Sequence, residues 1–293
     1  YKPLTHPREF RFLILQQGQI DDPIYCNLVH KNFSALALVE YEAISYTGPT
    51  RLEINTSKTI YLGGFPFSVT YNCEVVLKRV RTRGRLRIWI DAVCINQDDI
   101  NERSYQVNLM PNIYSLAEKV FVYPGELSDE ETKTLEPLEP YEVRETARLR
   151  RPFVSIEDPN SFGCSKRNDI APFLFKRRYF SRVLILQEVS LAKEAVVICD
   201  RYEIFLDFFR ACVGAHGSLG PTVLTIEPRK FRQESDLLDL LDYASPRDAT
   251  DPRDKVFGVF GMIPLARQTF GLIANYNATT EATYTDIALR IAD

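Results

Sequence analysis

One segment constrains the fold of this chain more than any other, and it lies at residues 88–104. Its first three residues are apolar and typical of a short buried strand. Asp91 ends this predicted strand, and a polar loop leads from there to a predicted helix that begins at Asp99. In an open α/β sheet, small ligands bind just beyond the carboxyl ends of the strands. The segment therefore predicts an α/β architecture and indicates where chemistry would take place.

Predicted strands and helices alternate along much of the chain. We predict strands over 10–15, 24–29, 35–46, 87–91, 119–123 and 195–199, a hairpin over 53–69, and helices over 72–80, 99–117, 142–150, 202–215, 234–243, 251–260 and 280–292, with a further helix within 173–192. This alternation between about residues 36 and 217 predicts a parallel sheet flanked by helices. Extra N-terminal strands and C-terminal helices would extend it.

The chain is predicted to be a single domain over its 293 residues. Its parts are a core at about 36–217, a charged surface insertion at about 126–170, and a C-terminal helical extension at about 218–293. Within the core, Asn72 is predicted to cap a helix. Pro111 is expected to kink or interrupt the helix that begins at Asp99, because proline lacks the backbone N–H donor.

Charge and cysteine content argue against several classes of protein. The net charge is −3 and the pI is about 5.8, so composition does not indicate a nucleic-acid partner. A basic cluster at 78–87 is either a solvated helix end with a turn, which we favour, or a patch for phosphates. The six cysteines form no C-x-x-C pair, which favours reduced, buried thiols in a cytoplasmic protein. No apolar stretch is long enough to span a membrane.

The first candidate site segment is Ser45-Tyr46-Thr47-Gly48, at the end of a predicted strand. Small and hydroxyl-bearing residues there would let a ligand approach the backbone N–H groups closely. A simple turn explains the same residues and is favoured on these residues alone.

The second candidate segment runs from Asp91 to Arg103. Asp91 ends a strand, while Asn96 and Gln97 offer amide donors and acceptors. One of the aspartates at 98–99 would cap the following helix, and Arg103 falls in the first helical turn. Capping does not account for Asn96 and Gln97, although these two could close a turn.

The third candidate segment places Gln187 and Glu188 within a strongly apolar helix. Glutamate is almost never fully buried unless it is paired. Either Arg182 or another basic group neutralises Glu188, or Glu188 lines a pocket with a raised pKa. Spacing alone favours a structural ion pair over catalysis.

At these segments the chain resembles the fungal heterokaryon incompatibility (HET) domain. The similar blocks are residues 41–46, 89–117, 180–192, 251–256 and 284–286. The second block is nearly complete and is the most specific. Together the resemblance covers most of the chain from about Phe10.

The HET family is in turn similar to Toll/interleukin-1 receptor (TIR) domains, which have a flavodoxin-like sheet. The resemblance implies that 41–48 contains the first strand of such a sheet and 88–91 the second, followed by a mobile loop. It also implies that 182–192 corresponds to the helix that bears the catalytic glutamate of TIR enzymes that cleave NAD. That role would fall on Glu188, which reverses the preference drawn from spacing.

The resemblance implies an NAD glycohydrolase that releases nicotinamide and acts in fungal self/non-self recognition and programmed cell death. NAD would be the substrate, and no metal or other cofactor would be needed. Glu188 would stabilise the oxocarbenium-like ribosyl cation. The implied substrate-binding residues are Ser45, Tyr46, Gly48, Asp91, Asn96, Gln97, Arg103, Tyr179, Arg182 and Gln187, with Gln187 and Arg182 orienting Glu188.

Two other functions stay open: a non-catalytic death-signalling module that self-associates, and a regulator that binds NAD without cleaving it. HET domains usually carry tryptophan where this chain has Tyr179 and Leu184. The single tryptophan of this sequence is Trp89. If a missing tryptophan stacked on the substrate, Tyr179 would have to replace it. Expected partners are NAD or a related nucleotide, further copies of the chain and regulatory domains, but neither nucleic acid nor membrane.

Overall fold

The computed structural model describes residues 1–6, 8–33, 40–48, 57–135, 154–156, 177–200, 202–206 and 236–292. Within these residues, ten strands form one mixed sheet in the order β5-β4-β2-β1-β6-β3-β7-β9-β10-β8. The strands are β1 Glu9–Leu15, β2 Tyr25–Asn32, β3 Glu42–Tyr46, β4 Ser57–Leu62, β5 Phe65–Thr70, β6 Arg87–Trp89, β7 Val120–Tyr123, β8 Val154–Ile156, β9 Ala195–Cys199 and β10 Tyr202–Phe205.

The helices of the described residues surround this sheet, so the α/β class is confirmed. They are α1 Tyr71–Thr82, α2 Asp91–Cys94, α3 Ile100–Leu116, α4 Asp129–Leu135, α5 Ile185–Ser190, α6 Asp236–Ala244, α7 Asp254–Phe260, α8 Pro264–Thr269 and α9 Thr280–Ala292, with a 3₁₀ turn at Arg178–Ser181. Helix α5 packs against both α3 and α7.

Four parallel strands form the centre of the sheet, in the spatial order β6-β3-β7-β9. Along the chain, β3 is the first of these four strands, and β6, β7 and β9 follow it in that order. Strands β3, β7 and β9 are buried along their whole length, as expected for strands covered on both faces. The carboxyl ends of β3 and β6 therefore lie side by side at one edge of the core.

Antiparallel strands extend this centre. Strand β1 pairs with β6 and β2, and the predicted hairpin is confirmed as β4 and β5, with Leu62 opposite Phe65 around two glycines. Gly63 and Gly64 have φ of 61° and 86°, a left-handed conformation that favours glycine. On the other side, β10 and β8 complete the sheet.

Two predictions in the first half of the chain were wrong, and a third was wrong in one of its two alternatives. Thr70, not Asn72, caps α1, because its hydroxyl accepts a hydrogen bond from the Cys73 N–H at 3.3 Å. Strand β6 ends at Trp89, and Asp91 begins the short helix α2 instead of ending the strand. Pro111 does not interrupt α3, since buried residues on both sides of the proline hold the helix against the core, and a kink at this position stays a prediction.

The predicted helix at 202–215 was also wrong. Tyr202–Phe205 forms strand β10, which pairs with β9 and places Tyr202 opposite Cys199. Asp200 has a φ of 50°, so the chain reverses within a tight turn that helical periodicity alone does not reveal. Residues 207–215, the predicted helix at 142–150 and the predicted strand residues 35–39 lie outside the described residues.

Within the predicted surface insertion at 126–170, the described residues form α4 and β8. Strand β8 is part of the sheet, because it pairs in parallel with β10. The predicted helix within 173–192 divides into the 3₁₀ turn and the six-residue α5. Helix α8 was not predicted, since its six residues are too few to show a periodic pattern.

The basic cluster at 78–87 is largely neutralised by the protein itself. Arg79 pairs with Glu126 and Asp200, and Arg83 pairs with Glu203. The buried Arg81 guanidinium donates hydrogen bonds to backbone carbonyls. The cluster therefore ties α1 to neighbouring segments, which neither sequence interpretation anticipated.

The described cysteines agree with the prediction of reduced, buried thiols: Cys26, Cys73, Cys94 and Cys199 are buried and unpaired. Among the described residues, no group of three acidic, histidine or cysteine side chains could hold a metal ion. No helix in this part of the chain is both long and apolar enough to cross a bilayer.

Helix α7 lies very close to α3 just beyond its own end. A Cβ atom at Gly261 would lie 2.1 Å from Pro111 Cγ and 2.6 Å from Pro111 Cβ. The proline ring cannot rotate away, so only glycine allows this approach. Pro111 therefore serves as a contact surface for the C-terminal helices.

We expect Gly261→Ala to lower the free energy of unfolding by roughly 1–3 kcal/mol, because the added methyl group overpacks this contact. Urea denaturation measures the change. Gly48→Ala is the matched control, since no atom of the described residues lies within 4 Å of a Cβ built there, and its effect should stay within about 0.5 kcal/mol. Equal stability of the two variants would contradict the close contact.

Candidate functional site

A pocket of about 710 Å³ opens beyond the carboxyl ends of β3 and β6. Several predicted site residues share its wall with residues from the β4–β5 hairpin and from the C-terminal helices. The lining residues are Tyr1, Tyr46, Gly48, Ser57, Phe67, Ser68, Val69, Thr70, Asp91, Ala92, Asn96, Gln97, Asp98, Arg182, Thr250 and Asp254. The pocket thus occupies the position that the sequence predicted for a ligand.

The loop between α2 and α3 is held by its own side chains. Gln97 Nε2 donates to the Asp91 carbonyl at 3.0 Å, and Asn96 Oδ1 accepts from the Asp98 N–H at 3.4 Å. Asp99 caps α3 by accepting from the N–H groups of Asn101 and Glu102, both at 3.0 Å. Asn96 and Gln97 therefore close the turn, as one interpretation of the sequence had it, and they also line the pocket.

A buried ion pair fixes this loop to the sheet. Arg11 on β1 makes a two-pronged contact with Glu102, at 2.5 Å and 2.9 Å, and its side chain is fully buried. The same guanidinium donates to the Cys94 carbonyl at 3.2 Å, and Glu102 accepts from the Asn96 N–H at 2.7 Å. Removing one partner of such a pair leaves an uncompensated buried charge. The pocket wall consequently depends on a contact that lies behind it.

Arg182 is the basic residue of the pocket wall. Its guanidinium donates to the Tyr46 carbonyl at the end of β3. Burial by itself would lower the pKa of Arg182, but the nearby carboxylates of Glu188 and Asp91 outweigh burial and raise it. Burial raises the pKa of Asp91, and the charge of Arg182 opposes that rise. The three charges are therefore coupled across the wall of the pocket.

Glu188 lies behind the pocket lining and is 2% exposed. The Ser45 hydroxyl on β3 donates a hydrogen bond to its carboxylate, and Ser45 Oγ lies 2.6 Å from the Tyr179 hydroxyl oxygen. Among the described residues, no basic side chain forms a salt bridge with Glu188. Arg182 acts on Glu188 through its charge, without a hydrogen bond or salt bridge between them.

Burial raises the pKa of Glu188 from 4.5 to about 7, while Arg182 and the Ser45 hydrogen bond oppose the rise. The neighbouring carboxylates of Asp91 and Asp254 add to the increase. A carboxyl group that titrates near neutral pH is typical of functional sites, because burial without a partner costs stability. The structural ion pair favoured by spacing alone is not formed with any residue that the structure describes.

Gln187 is 1% exposed, and neither polar atom of its amide has a hydrogen-bond partner among the described residues. The residue that hydrogen-bonds Glu188 is Ser45. Tyr179 is fully buried, with its ring edge-on to Phe180 at 5.0 Å, so it too lies behind the pocket lining.

Arg103 lies outside the pocket lining and links α3 to the C-terminal region. Its guanidinium lies 4.2 Å from the centre of the Tyr276 ring and 3.7 Å from Asp251 Oδ2. Trp89 is fully buried against Tyr114, so the single tryptophan packs the core. Neither residue contacts the pocket directly.

Asp254 is the site residue that sequence reasoning missed. It begins α7, lines the pocket and accepts a hydrogen bond from the Tyr276 hydroxyl. Burial raises its pKa from 3.8 to about 6, and the Tyr276 hydrogen bond opposes that rise. The signal for it was present, since the acidic group precedes the apolar run Val256-Phe257-Gly258-Val259-Phe260.

The site elements match a known family. The profile described as "Heterokaryon incompatibility protein (HET)" matches residues 41–188, half of the chain, from the residue before β3 to Glu188 itself. The chain therefore belongs to the HET family.

Among curated proteins, the chain is similar to heterokaryon incompatibility protein 6, OR allele, from Neurospora crassa. The identity is 24% over 95% of this chain and 50% of that protein. The chain thus spans about half the length of the curated relative it matches. No solved structure matches the chain.

We expect Glu188→Gln to stabilise the protein more at about pH 8 than at about pH 5. The pKa of Glu188 is higher in the folded chain than its ordinary 4.5, so its contribution to stability falls as pH rises between 4.5 and about 7. A neutral glutamine avoids this penalty, which is roughly 1–3 kcal/mol at the higher pH.

Urea denaturation of both proteins at the two pH values measures this difference, and any packing cost that does not depend on pH cancels. Glu281→Gln, at an exposed position of α9, is the matched control and should show no such dependence. A Glu188→Gln effect that is the same at both pH values would contradict the raised pKa.

Proposed function

We propose that this HET domain acts in heterokaryon incompatibility by hydrolysing the nicotinamide–ribose bond of NAD. The observation that carries the proposal is a buried glutamate, without a salt bridge to any described residue, beside a large pocket at the carboxyl ends of β3 and β6. The family membership and the similarity to heterokaryon incompatibility protein 6 support the biological role. Self/non-self recognition leading to cell death is the setting in which NAD loss would act.

The chemistry needs a negative charge close to the ribose. Nicotinamide is a good leaving group, and the ribosyl fragment develops oxocarbenium-like charge as the bond breaks. A carboxylate held in a low-dielectric site stabilises that charge well, because it needs no reorganisation during the reaction. In the proposed mechanism Glu188 supplies this carboxylate, and Arg182 keeps a fraction of it ionised near neutral pH.

The strand arrangement supports a TIR-like interpretation of the fold. The parallel strands follow the order 2-1-3-4, which is the order of the first four strands of a flavodoxin-like sheet. In such sheets ligands bind at the carboxyl ends of the strands, where the pocket lies. Under this proposal β3 is the first strand of a TIR-like core.

Access to Glu188 is part of the proposed mechanism. Ser45 shields the carboxylate and Tyr46, the next residue, lines the pocket. A ribose hydroxyl that replaced the Ser45 hydroxyl as hydrogen-bond donor would bring the sugar to the carboxylate without leaving it unpartnered. Binding and activation would then be a single step.

The burial of Glu188 also supports a second candidate function, a non-catalytic module that self-associates. Leu238, Ile273 and Leu289 on the C-terminal region are 58–68% exposed and could serve an interface. Light scattering together with nicotinamide release, measured across protein concentration, separates the two functions. Association without release would favour the module.

We expect Glu188→Gln and Glu188→Ala to lower kcat for nicotinamide release by at least about 100-fold, because the charge that stabilises the transition state is lost. Glu281→Gln, with the same chemical change at an exposed site, should keep the activity of the original chain. Robust turnover in both Glu188 variants would remove this residue from the mechanism.

The pH profile provides a separate test. The reaction requires ionised Glu188, whose pKa is about 7, so kcat/KM should rise roughly tenfold per pH unit below that pKa and level off above it. Initial rates of nicotinamide release measure the profile. A rate that is constant between about pH 5 and about pH 8 would contradict catalysis by the carboxylate.

A further inference from the structure

Asp254 reaches the pocket from a part of the chain beyond the family match, which ends at residue 188. Its carboxylate is held by the Tyr276 hydroxyl, and the Tyr276 N–H donates to Ser104 Oγ on α3 at 2.9 Å. Arg103 and Arg253 lie over the Tyr276 ring at 4.2 Å and 5.2 Å. These contacts hold Asp254 in a fixed position against the pocket.

The charges of the pocket wall are unbalanced. Among the lining residues that the structure describes, Asp91, Asp98 and Asp254 are acidic and Arg182 is the basic one. The Arg182 guanidinium is already engaged by the Tyr46 carbonyl and by the charge of Glu188. The described part of the wall therefore favours a cationic group next to its carboxylates.

We propose that Asp254 determines the charge specificity of this site, by contacting the cationic nicotinamide ring of oxidised NAD together with Asp91. This inference rests on the proposed function, because it takes NAD as the ligand. The oxidised ring carries a positive charge and the reduced ring of NADH is neutral. The two dinucleotides otherwise present the same phosphates and sugars, so a carboxylate beside the ring distinguishes them by charge.

The test compares the dissociation constants of NAD and NADH by isothermal titration calorimetry. Measurements are made at about pH 8, where Asp254, with a pKa of about 6, is ionised. The Glu188→Gln variant serves as the starting protein, so that NAD is not consumed. This protein should bind NAD at least about tenfold more tightly than NADH.

Adding Asp254→Asn should weaken NAD binding by about tenfold and leave NADH binding unchanged. Asparagine keeps the shape of the side chain and can still accept the Tyr276 hydrogen bond. Asp242→Asn, at an exposed position of α6 outside the pocket, is the matched control for the loss of one negative charge. It should leave both affinities unchanged.

Equal affinity for the two dinucleotides in the starting protein, equal loss of both on Asp254→Asn, or binding of neither would overturn the inference. Its outcome is separate from that of the proposed function. If the Glu188→Gln protein binds NAD more tightly than NADH but the original chain releases no nicotinamide, the role of Asp254 is supported and hydrolysis is refuted. If the original chain releases nicotinamide but Asp254→Asn does not change the relative affinities for NAD and NADH, hydrolysis is supported and the role of Asp254 is refuted.

Discussion

The hydrogen bond between Ser45 and Glu188 is the contact on which the candidate site depends. It gives a carboxylate buried among apolar side chains one partner, which avoids the larger cost of leaving it without any. A salt bridge with Arg182 would have stabilised the charge more but would have tied up the carboxylate. By acting from a distance, Arg182 leaves Glu188 able to exchange a proton near neutral pH.

Two contacts outside the pocket keep this arrangement in place. The Arg11–Glu102 pair connects the first strand to the start of α3 and holds the loop that contains Asn96. The contact between Gly261 and Pro111 lets the C-terminal helices approach the opposite end of α3. Helix α3 is therefore the common support, and the pocket lies between elements that it positions.

Much of the fold could be predicted from local signals. The β4–β5 hairpin and the Asp99 cap of α3 each depend on a few adjacent residues. The β10 strand could not be predicted, because four residues cannot be distinguished from the first turn of an amphipathic helix. At the site, the burial of Glu188 followed from its apolar neighbours. Its partner did not, since Ser45 is 143 residues away along the chain. Asp254 was missed although it precedes an apolar run, because that run alone does not show that α7 packs beside the pocket.

The position of Asp254 bears on what constitutes the functional unit. The family match covers β3, the loop after β6 and Glu188, yet the pocket wall also includes Thr250 and Asp254 from beyond it. A site assembled only from the matched residues would lack this carboxylate. Because Tyr276 holds Asp254 and is itself tied to α3, the C-terminal helices and the sheet form one site. Selection acting on that site would therefore constrain both parts of the chain together.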